Sequence, residues 1–475
     1  MILLLFFVIS VLLSVSAMLS RNRSMTRTLT IGYAVLLIAL TVYAWGNLNR
    51  TELTYFTFDS TGVLLLTVLA LLTLPTVYHG FIYTKEDTLK RYNIYHSGLM
   101  ALMTFMTGAY LANTMTVMWI FVEATTLAVA VLIYHDRTEM ALEATWKYVF
   151  ICSTGIALAY LGILFLGFIY GSGDAPNLSF ESFSLVISNA NPLYLKISFI
   201  FVLVGFSTKM GLFPMHTVTI DAHSVAPPPV SALISTTLMN VGFLAIFRVY
   251  KLFTGTSVLP FMNHVLILAG LLSLLISAGY MLKAKHLKRM LAYSSLENMG
   301  LVAIAIGAGG AGYYAALLLI VMHSLAKSSL FYQMGQLHRI LHTFKLDDCG
   351  RYMKLYPPGA MVLLTGMVCI LAIPPSGLFI SELMIFRGLV ANSQWFVLVT
   401  AIILLCFVIY AMSTRMMHII FSDPREGAVQ QLPGTVRPVE TVTQFILLGI
   451  VILVCFYQPP FLSELIGQGS AMLPR

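Results

Sequence analysis

Charge is what this sequence lacks most. Of 475 residues, 19 are Asp or Glu and 27 are Lys or Arg, too few to keep a folded chain of this length dispersed in water. The five cysteines, Cys152, Cys349, Cys369, Cys406 and Cys455, form no CxxC, no CxxCH and no paired Cys/His spacing. That argues against an iron–sulfur cluster, covalent haem or zinc site in this chain. Long polar stretches are missing too: the connections around 171–190, 337–357 and 422–439 are too short to fold alone. Strand-period alternation is absent, and lipid tolerates only helices or closed barrels, so helices are expected. The net charge of +8 does not suggest nucleic acid, because the basic residues sit in short connections between apolar runs.

Apolar runs are plentiful. Runs of about 20 residues recur from end to end and predict an all-α integral membrane fold with roughly 14 spans. Their approximate positions are 1–20, 29–46, 61–83, 96–113, 114–134, 146–170, 192–213, 229–250, 260–282, 290–307, 310–336, 358–391, 394–415 and 440–461. The first run has no basic residue before it and no small-residue cleavage pattern after it, so it is expected as a retained span, not a signal peptide. Lys and Arg concentrate in alternate connections: Arg21, Arg23 and Arg27; Lys85, Lys90 and Arg91; Arg137 and Lys147; Lys283, Lys285, Lys288 and Arg289; Arg339, Lys345, Arg351 and Lys354; Arg415, Arg425 and Arg437. The opposite connections hold Arg50, with Arg248 and Lys251 at a helix end. By the positive-inside rule both termini face away from the cytoplasm.

Four charged residues fall inside apolar runs, where each costs at least a few kcal/mol and needs a reason. Glu123 lies in MWIFVEATTLAVAV, and Lys209 just before a proline in FVLVGFSTKMGLFPMH. Lys327 lies in IVMHSLAKSSLFYQMG, with His323 four residues earlier on the same helical face, and Glu382 follows a Pro-Pro pair in CILAIPPSGLFISELMIF. Pro214 and Pro374–Pro375 remove helix hydrogen bonds beside Lys209 and Glu382, and broken helices at membrane depth are tolerated where they line a wet cavity. Two opposite charges about 6 Å apart at an effective dielectric near 20 interact by roughly 3 kcal/mol, or about two pKa units. Making or breaking a Glu–Lys contact can therefore decide where a proton resides, and a row of such sites moves protons without covalent chemistry. A structural ion pair is the plain alternative for any one of these residues. Lys147, near a helix start, fits a snorkelling or paired lysine as well as a supporting role. Glu297, with Tyr293 near the Lys283–Arg289 loop, fits an interfacial pair as well as a relay. Asp59 reads as a helix cap and His264 as a loop or interface residue.

The same segments carry a resemblance. KMGLFPMHTVTIDAHSVAPPPVSALIS (209–235), LKRMLAYSSLENMG (287–300), HSLAKSSLFYQMG (323–335) and AIPPSGLFISE (372–382) are similar, in order, to the antiporter-like subunits of respiratory complex I and membrane-bound hydrogenases. The match runs from about residue 60 to 415 and looks most like the hydrogenase-4 component F type. It implies two inverted five-helix repeats, each with a broken helix. The corresponding division is N-terminal helices at about 1–95, repeats at 96–255 and 256–415, and a C-terminal helix at 416–475. The chain ends soon after its last span and so lacks the long lateral helix of the largest complex I antiporter-like subunit. The resemblance implies proton-transfer roles for Glu123, Lys209, Lys327 and Glu382, and supporting ones for His216, His223 and His323. Asn240 stands where many relatives carry lysine, and Asn298 where they carry histidine; neither amide can carry a proton.

The charged residues predict proton or cation movement, and the resemblance implies a proton-translocating subunit of a multi-subunit oxidoreductase of the nickel–iron hydrogenase or formate hydrogenlyase type, in a prokaryotic plasma (inner) membrane. No cofactor or metal is expected in this chain; iron–sulfur, nickel–iron or other redox centres belong to partner subunits. Those partners are further membrane subunits and a peripheral redox arm. A sodium/proton antiporter subunit without redox coupling, and a membrane scaffold with an inactive relay, are the competing readings.

Overall fold

The computed structural model describes residues 2–168, 178–187, 190–425, 434–471 and 473. Parts of the expected connections 171–190 and 422–439, and the end of the span expected at 146–170, lie outside the described residues.

The apolar runs fold into helices, and the polar breaks between them supply caps. They are α1 (Ile2–Leu19), α2 (Arg23–Trp45), α3 (Ser60–Tyr83), α4 (Leu89–Leu111), α5 (Met115–Ile133), α6 (Glu139–Gly167), α7 (Phe180–Val186), α8 (Pro192–Met210), α9 (Thr217–Val225) and α10 (Pro228–Leu233). After a single π-helical turn, Ile234–Leu238, come α11 (Met239–Phe253), α12 (Leu259–Leu282), α13 (Leu287–Ala308), α14 (Ala311–Leu341), α15 (Tyr352–Leu355), α16 (Pro357–Ile370), α17 (Gly377–Ala391), α18 (Trp395–Phe421), α19 (Val439–Phe456) and α20 (Pro460–Ser470). Side-chain oxygens of Asn22, Thr114, Thr138 and Ser376 accept from backbone N–H groups in the first turns of α2, α5, α6 and α17, satisfying donors that lipid cannot. The only strands among the described residues are Thr51–Glu52 and Phe56–Thr57, a two-stranded antiparallel ribbon between α2 and α3.

Twelve helices among the described residues are long and apolar enough to cross a membrane. Two expected spans do not meet that description. The one at 96–113 falls on α4, which starts seven residues earlier and carries Lys90, Arg91 and His96. The one at 358–391 is two shorter helices, α16 and α17, separated by Leu371–Ser376. α20, beyond the last expected span, packs on α3, with Gly469 against Thr61.

Polar content sorts the helices by depth. The windows in α10–α11 and α13 are fully buried and that in α14 is 94% buried, whereas only 28% of α1 is covered. Outer helices turn large apolar side chains outward, among them Phe150, Phe396 and Phe456, as a lipid-facing surface requires. Helices approach closely where glycines face each other: a Cβ on Gly205 of α8 would stand 2.5 Å from the Gly155 carbonyl oxygen of α6.

One ion pair ties distant parts of the chain together. Asp59, expected as a cap, makes no capping hydrogen bond; its carboxylate accepts from Arg248 Nη2 of α11 at 2.6 Å. The same guanidinium donates to the carbonyl oxygens of Ala112 (2.8 Å), Tyr110 (2.6 Å) and Ala109 (3.3 Å), so it satisfies the exposed end of α4 while joining α3 to α11. A buried charge deprived of its partner is costly, but Asp59 is 35% exposed, which softens the penalty. Arg248→Ala is expected to cost about 2 kcal/mol, read as a lower thermal midpoint in detergent. Arg248→Lys, with fewer donors, recovers only part of it.

Candidate functional site

The first cluster forms where α5, α6 and α8 meet. Glu123 and Thr126 lie three residues apart on one face of α5. Glu123 Oε1 accepts from Ser153 Oγ of α6 at 2.7 Å, and Oε2 accepts from Thr126 Oγ1 at 3.2 Å. Lys209, next to last in α8 and 1% exposed, donates from Nζ to Thr126 Oγ1 at 2.7 Å and to Tyr148 OH at 3.1 Å. Its ammonium also stands 4.9 Å from the Tyr148 ring centroid, a favourable cation–π placement. The Thr126 hydroxyl thus accepts from the lysine while donating to the glutamate. It joins the two charges without direct contact.

Lys209 owes its position to the way α8 ends. Gly211 adopts φ +69°, a left-handed conformation that glycine reaches without strain, and Pro214 prevents the helix from resuming. The loosened turn is held by Thr219 Oγ1 donating to the Thr208 carbonyl at 3.1 Å and by Phe213 N donating to Ser273 Oγ at 3.0 Å. Across the interface a Cβ on Gly242 would lie 2.3 Å from Met210 N, so the helix end carrying Lys209 rests directly on the backbone of α11.

The second cluster surrounds Lys327, fully buried on α14. Its ammonium donates to the Leu291 carbonyl and to Ser294 Oγ on α13. Glu297 follows one turn later on α13, 3% exposed, and accepts from Asn298 Nδ2 at 2.7 Å. Glu297 is close enough to both Lys327 and Glu382 for their charges to interact. Glu297 and Glu382 share the wall of a cavity of about 210 Å³, whose remaining lining is apolar and comes from the 370–372 segment, α17 and α18. That segment is the break caused by Pro374 and Pro375, so the second proline break opens space beside a carboxylate as the first frees a helix end beside a lysine.

The fully buried α10–α11 unit stands between the clusters. Its π-helical turn directs hydroxyls toward α13 and α14: Ser235 Oγ lies 2.7 Å from Ser295 Oγ, and Thr236 Oγ1 lies 3.5 Å from Ser328 Oγ. One turn on, Asn240 Nδ2 donates to Ser324 Oγ at 3.0 Å, placing it on the face of α14 that bears His323 and Lys327. Asn240 Oδ1 and both ring nitrogens of His323 are buried with no hydrogen-bond partner among the described residues. His223 packs its ring edge-on to Phe331 at 6.2 Å, and His216 lies 6.3 Å from Phe213. His216 stands just before α9, after the first break, and His223 lies within α9.

Several expectations need correction. Glu123 and Glu382 are half-buried, not enclosed as the two lysines are. Lys147 is not brought into the row: it is exposed on α6 and pairs with Glu143 one turn away. Glu297 is no interfacial residue, because every residue of α13 from Met290 to Ala308 is buried. Lys288, counted with the loop, is 2% exposed; its Nζ donates to the Ala226 carbonyl at 2.5 Å and faces the Phe344 ring. The hydroxyl partners Thr126, Tyr148, Ser153 and Ser294 carried no signal in the sequence, since hydroxyl residues are frequent in all these helices. His264 is exposed in the second turn of α12, where Nδ1 lies 2.6 Å from the Pro260 carbonyl oxygen. No three His, Cys, Asp or Glu side chains gather closely enough for a metal ion among the described residues.

Buried amines and carboxylates set side by side, two of them next to helix breaks, are suited to ion movement. Residues 112–408 match the family described as NADH:quinone oxidoreductase/Mrp antiporter, transmembrane. The chain belongs to this family. It is 34% identical over 335 residues to the hydrogenase-4 component F homolog of Methylacidiphilum infernorum (isolate V4), covering 70% of each chain. It is 28% identical over 357 residues to hydrogenase-4 component B of Escherichia coli (strain K12), spanning 51% of that protein and 71% of its own length. In fold it is similar to a chain of the membrane-bound sulfane sulfur reductase, an archaeal respiratory membrane complex. The TM-score is 0.86 at 19% identity, over 99% of this chain and 96% of that one. The protein is thus an antiporter-like, multi-pass integral membrane subunit of the hydrogenase-4 and complex I type.

The hydroxyl bridge makes a direct prediction. Thr126→Val keeps the shape but removes both hydrogen bonds, leaving Lys209 short of an acceptor at a cost of about 1–3 kcal/mol. It is expected to lower the thermal midpoint and to shift the Glu123 carboxylate stretch in an infrared difference spectrum against Glu123→Gln. Thr126→Ser restores both.

Proposed function

We propose that this chain moves protons across the membrane as the non-redox subunit of a multi-subunit oxidoreductase. The observation that carries this reading is the Glu123–Thr126–Lys209 bridge, with the Lys327–Glu297–Glu382 group as its counterpart on the far side of α11. Each group can lose or gain a proton as its partner moves, and the lysines are cut off from any solvent that could fix their charge. Asn240, in the central helix, can orient water between the halves but cannot hold a proton, so transfer there runs through water and the Ser324 and Ser328 hydroxyls. His216, His223 and His323 serve as supporting relay groups, and the breaks at Pro214 and Pro374–Pro375 supply the flexible ends.

The relatives' names, hydrogenase-4 components F and B, favour a partner complex of the nickel–iron hydrogenase or formate hydrogenlyase type over an antiporter without redox coupling. Iron–sulfur and nickel–iron centres then reside in a peripheral arm, and this chain binds none. Its place is the plasma membrane of a prokaryote. Arg21, Lys85, Lys90, Arg137, Lys283, Lys345 and Arg351 face the cytoplasm, and both termini face the opposite side.

The test is proton translocation by the purified complex in proteoliposomes. Glu123→Gln and Lys209→Ala are each expected to lower protons moved per electron by about ten-fold or more, as loss of a proton-transfer group does, with subunit assembly intact. Normal translocation with both changes overturns the relay.

A further inference from the structure

The relay described so far approaches Lys327 from α13 and α11. A second run of buried polar side chains leaves Lys327 in another direction, toward the C-terminal end of α14, between α3 and α19. Ser328, Ser329, Tyr332, Gln333 and Gln336 are at most 1% exposed. Tyr332 OH lies 2.7 Å from Thr76 Oγ1 of α3. The His79 ring of α3 lies flat on the Tyr332 ring, with centroids 4.7 Å apart and planes within 6°. His79 Nε2 is 3.0 Å from Thr443 Oγ1 of α19. One turn back on α19, Glu440 pairs with Arg339 of α14, where the strip meets the surface: Arg339 is 34% exposed and Glu440 only 5%. From Arg339 to Lys327 the strip spans about 18 Å along α14.

Polar side chains between helices often serve only to hold them together. That accounts for the paired groups, such as Thr441 Oγ1 donating to Gln336 Oε1 at 3.3 Å. It does not account for Gln336 Nε2, Gln333 Oε1 and both amide atoms of Gln444, all buried with no hydrogen-bond partner among the described residues. Each such group costs about 1–3 kcal/mol if left dry. Four of them along one strip suit the lining of a wet passage, where two to four polar partners would hold each water. His79, Thr443, Glu440 and Gln444 also lie outside the family match at 112–408, and the relay proposed above uses none of them.

We propose that this strip is a second, water-filled inlet that supplies protons to Lys327 from the Arg339–Glu440 mouth, with the His79 imidazole as its relay group. The inference rests on the proton-translocating reading. A proton taken up by His79 from the mouth leaves through water and the Tyr332 and Ser328 hydroxyls, which lie one turn apart on α14, and arrives on the Lys327 amine. Every group in between returns to its starting state, so no further reactant is needed. Lys327 then receives protons independently of the Glu123–Lys209 half.

Two measurements on the intact complex test this. In membrane vesicles, Gln336→Cys and Gln444→Cys are expected to react with methanethiosulfonate ethylammonium about ten-fold faster than the parent chain's own cysteines, because thiol modification follows access to water. In proteoliposomes, His79→Gln is expected to lower protons moved per electron by about two-fold or more. Unreactive cysteines overturn the inlet whether or not the chain pumps. Reactive cysteines with an unchanged ratio in His79→Gln overturn the relay through the imidazole. If Glu123→Gln and Lys209→Ala both pump normally, the general reading fails, and the cysteine reactivity still decides whether the strip is wet.

Discussion

An ionisable side chain inside a bilayer has no solvent to fall back on, and the arrangement of this protein follows from that constraint. Each buried amine must be met by a neighbouring helix, so the helices that carry polar groups are drawn to the centre. Lys209 finds Thr126 and Tyr148, and Lys327 finds the Leu291 carbonyl and Ser294. α11, α13 and α14 are almost wholly enclosed, while the apolar α1 and α18 stay at the periphery. Helix breaks belong to the same logic. Unwound backbone at 211–216 and 371–376 is tolerable only where protein, and not lipid, surrounds the freed polar groups.

Hydroxyl bridges have a functional consequence that direct ion pairs would lack. Two charges in contact at this depth would be held by an attraction difficult to reverse. With Thr126 between them, Glu123 and Lys209 interact through a group that can rotate, so a small shift of α5 against α8 is enough to change which of them holds a proton. The π-helical turn before α11 places Ser235, Thr236 and Asn240 in similar intermediate positions between the halves, and such single turns tend to mark functional sites. The cavity shared by Glu297 and Glu382 sets two carboxyl groups on one wall in otherwise apolar surroundings.

The sequence made the class, most of the spans and the four principal charged positions legible, because a charge within an apolar run is conspicuous and a proline beside it marks a break. It was less informative near helix ends. Lys147 and Lys288 each stand within two or three turns of a helix start. α6 turns Lys147 outward to Glu143, while the loop after α9 and Phe344 cover Lys288. Distance from a helix end does not reveal what lies over that end. Asp59 looked like a cap because its partner Arg248 is 189 residues away, and Glu297 looked interfacial because the loop beside it is basic. Thr126 and Ser294 were invisible for a different reason: a hydroxyl that serves a charge on another helix is indistinguishable in sequence from one that bonds only its own helix.

The central claim is that electron transfer in the complex drives protons through this chain. Its most direct test is simultaneous recording of electron transfer and internal pH in sealed proteoliposomes of the complete, unmodified complex. A proton path predicts an internal pH change that starts with turnover, collapses with a protonophore and persists when sodium is omitted. Sustained electron transfer with no pH change, or a change that requires sodium, would contradict it.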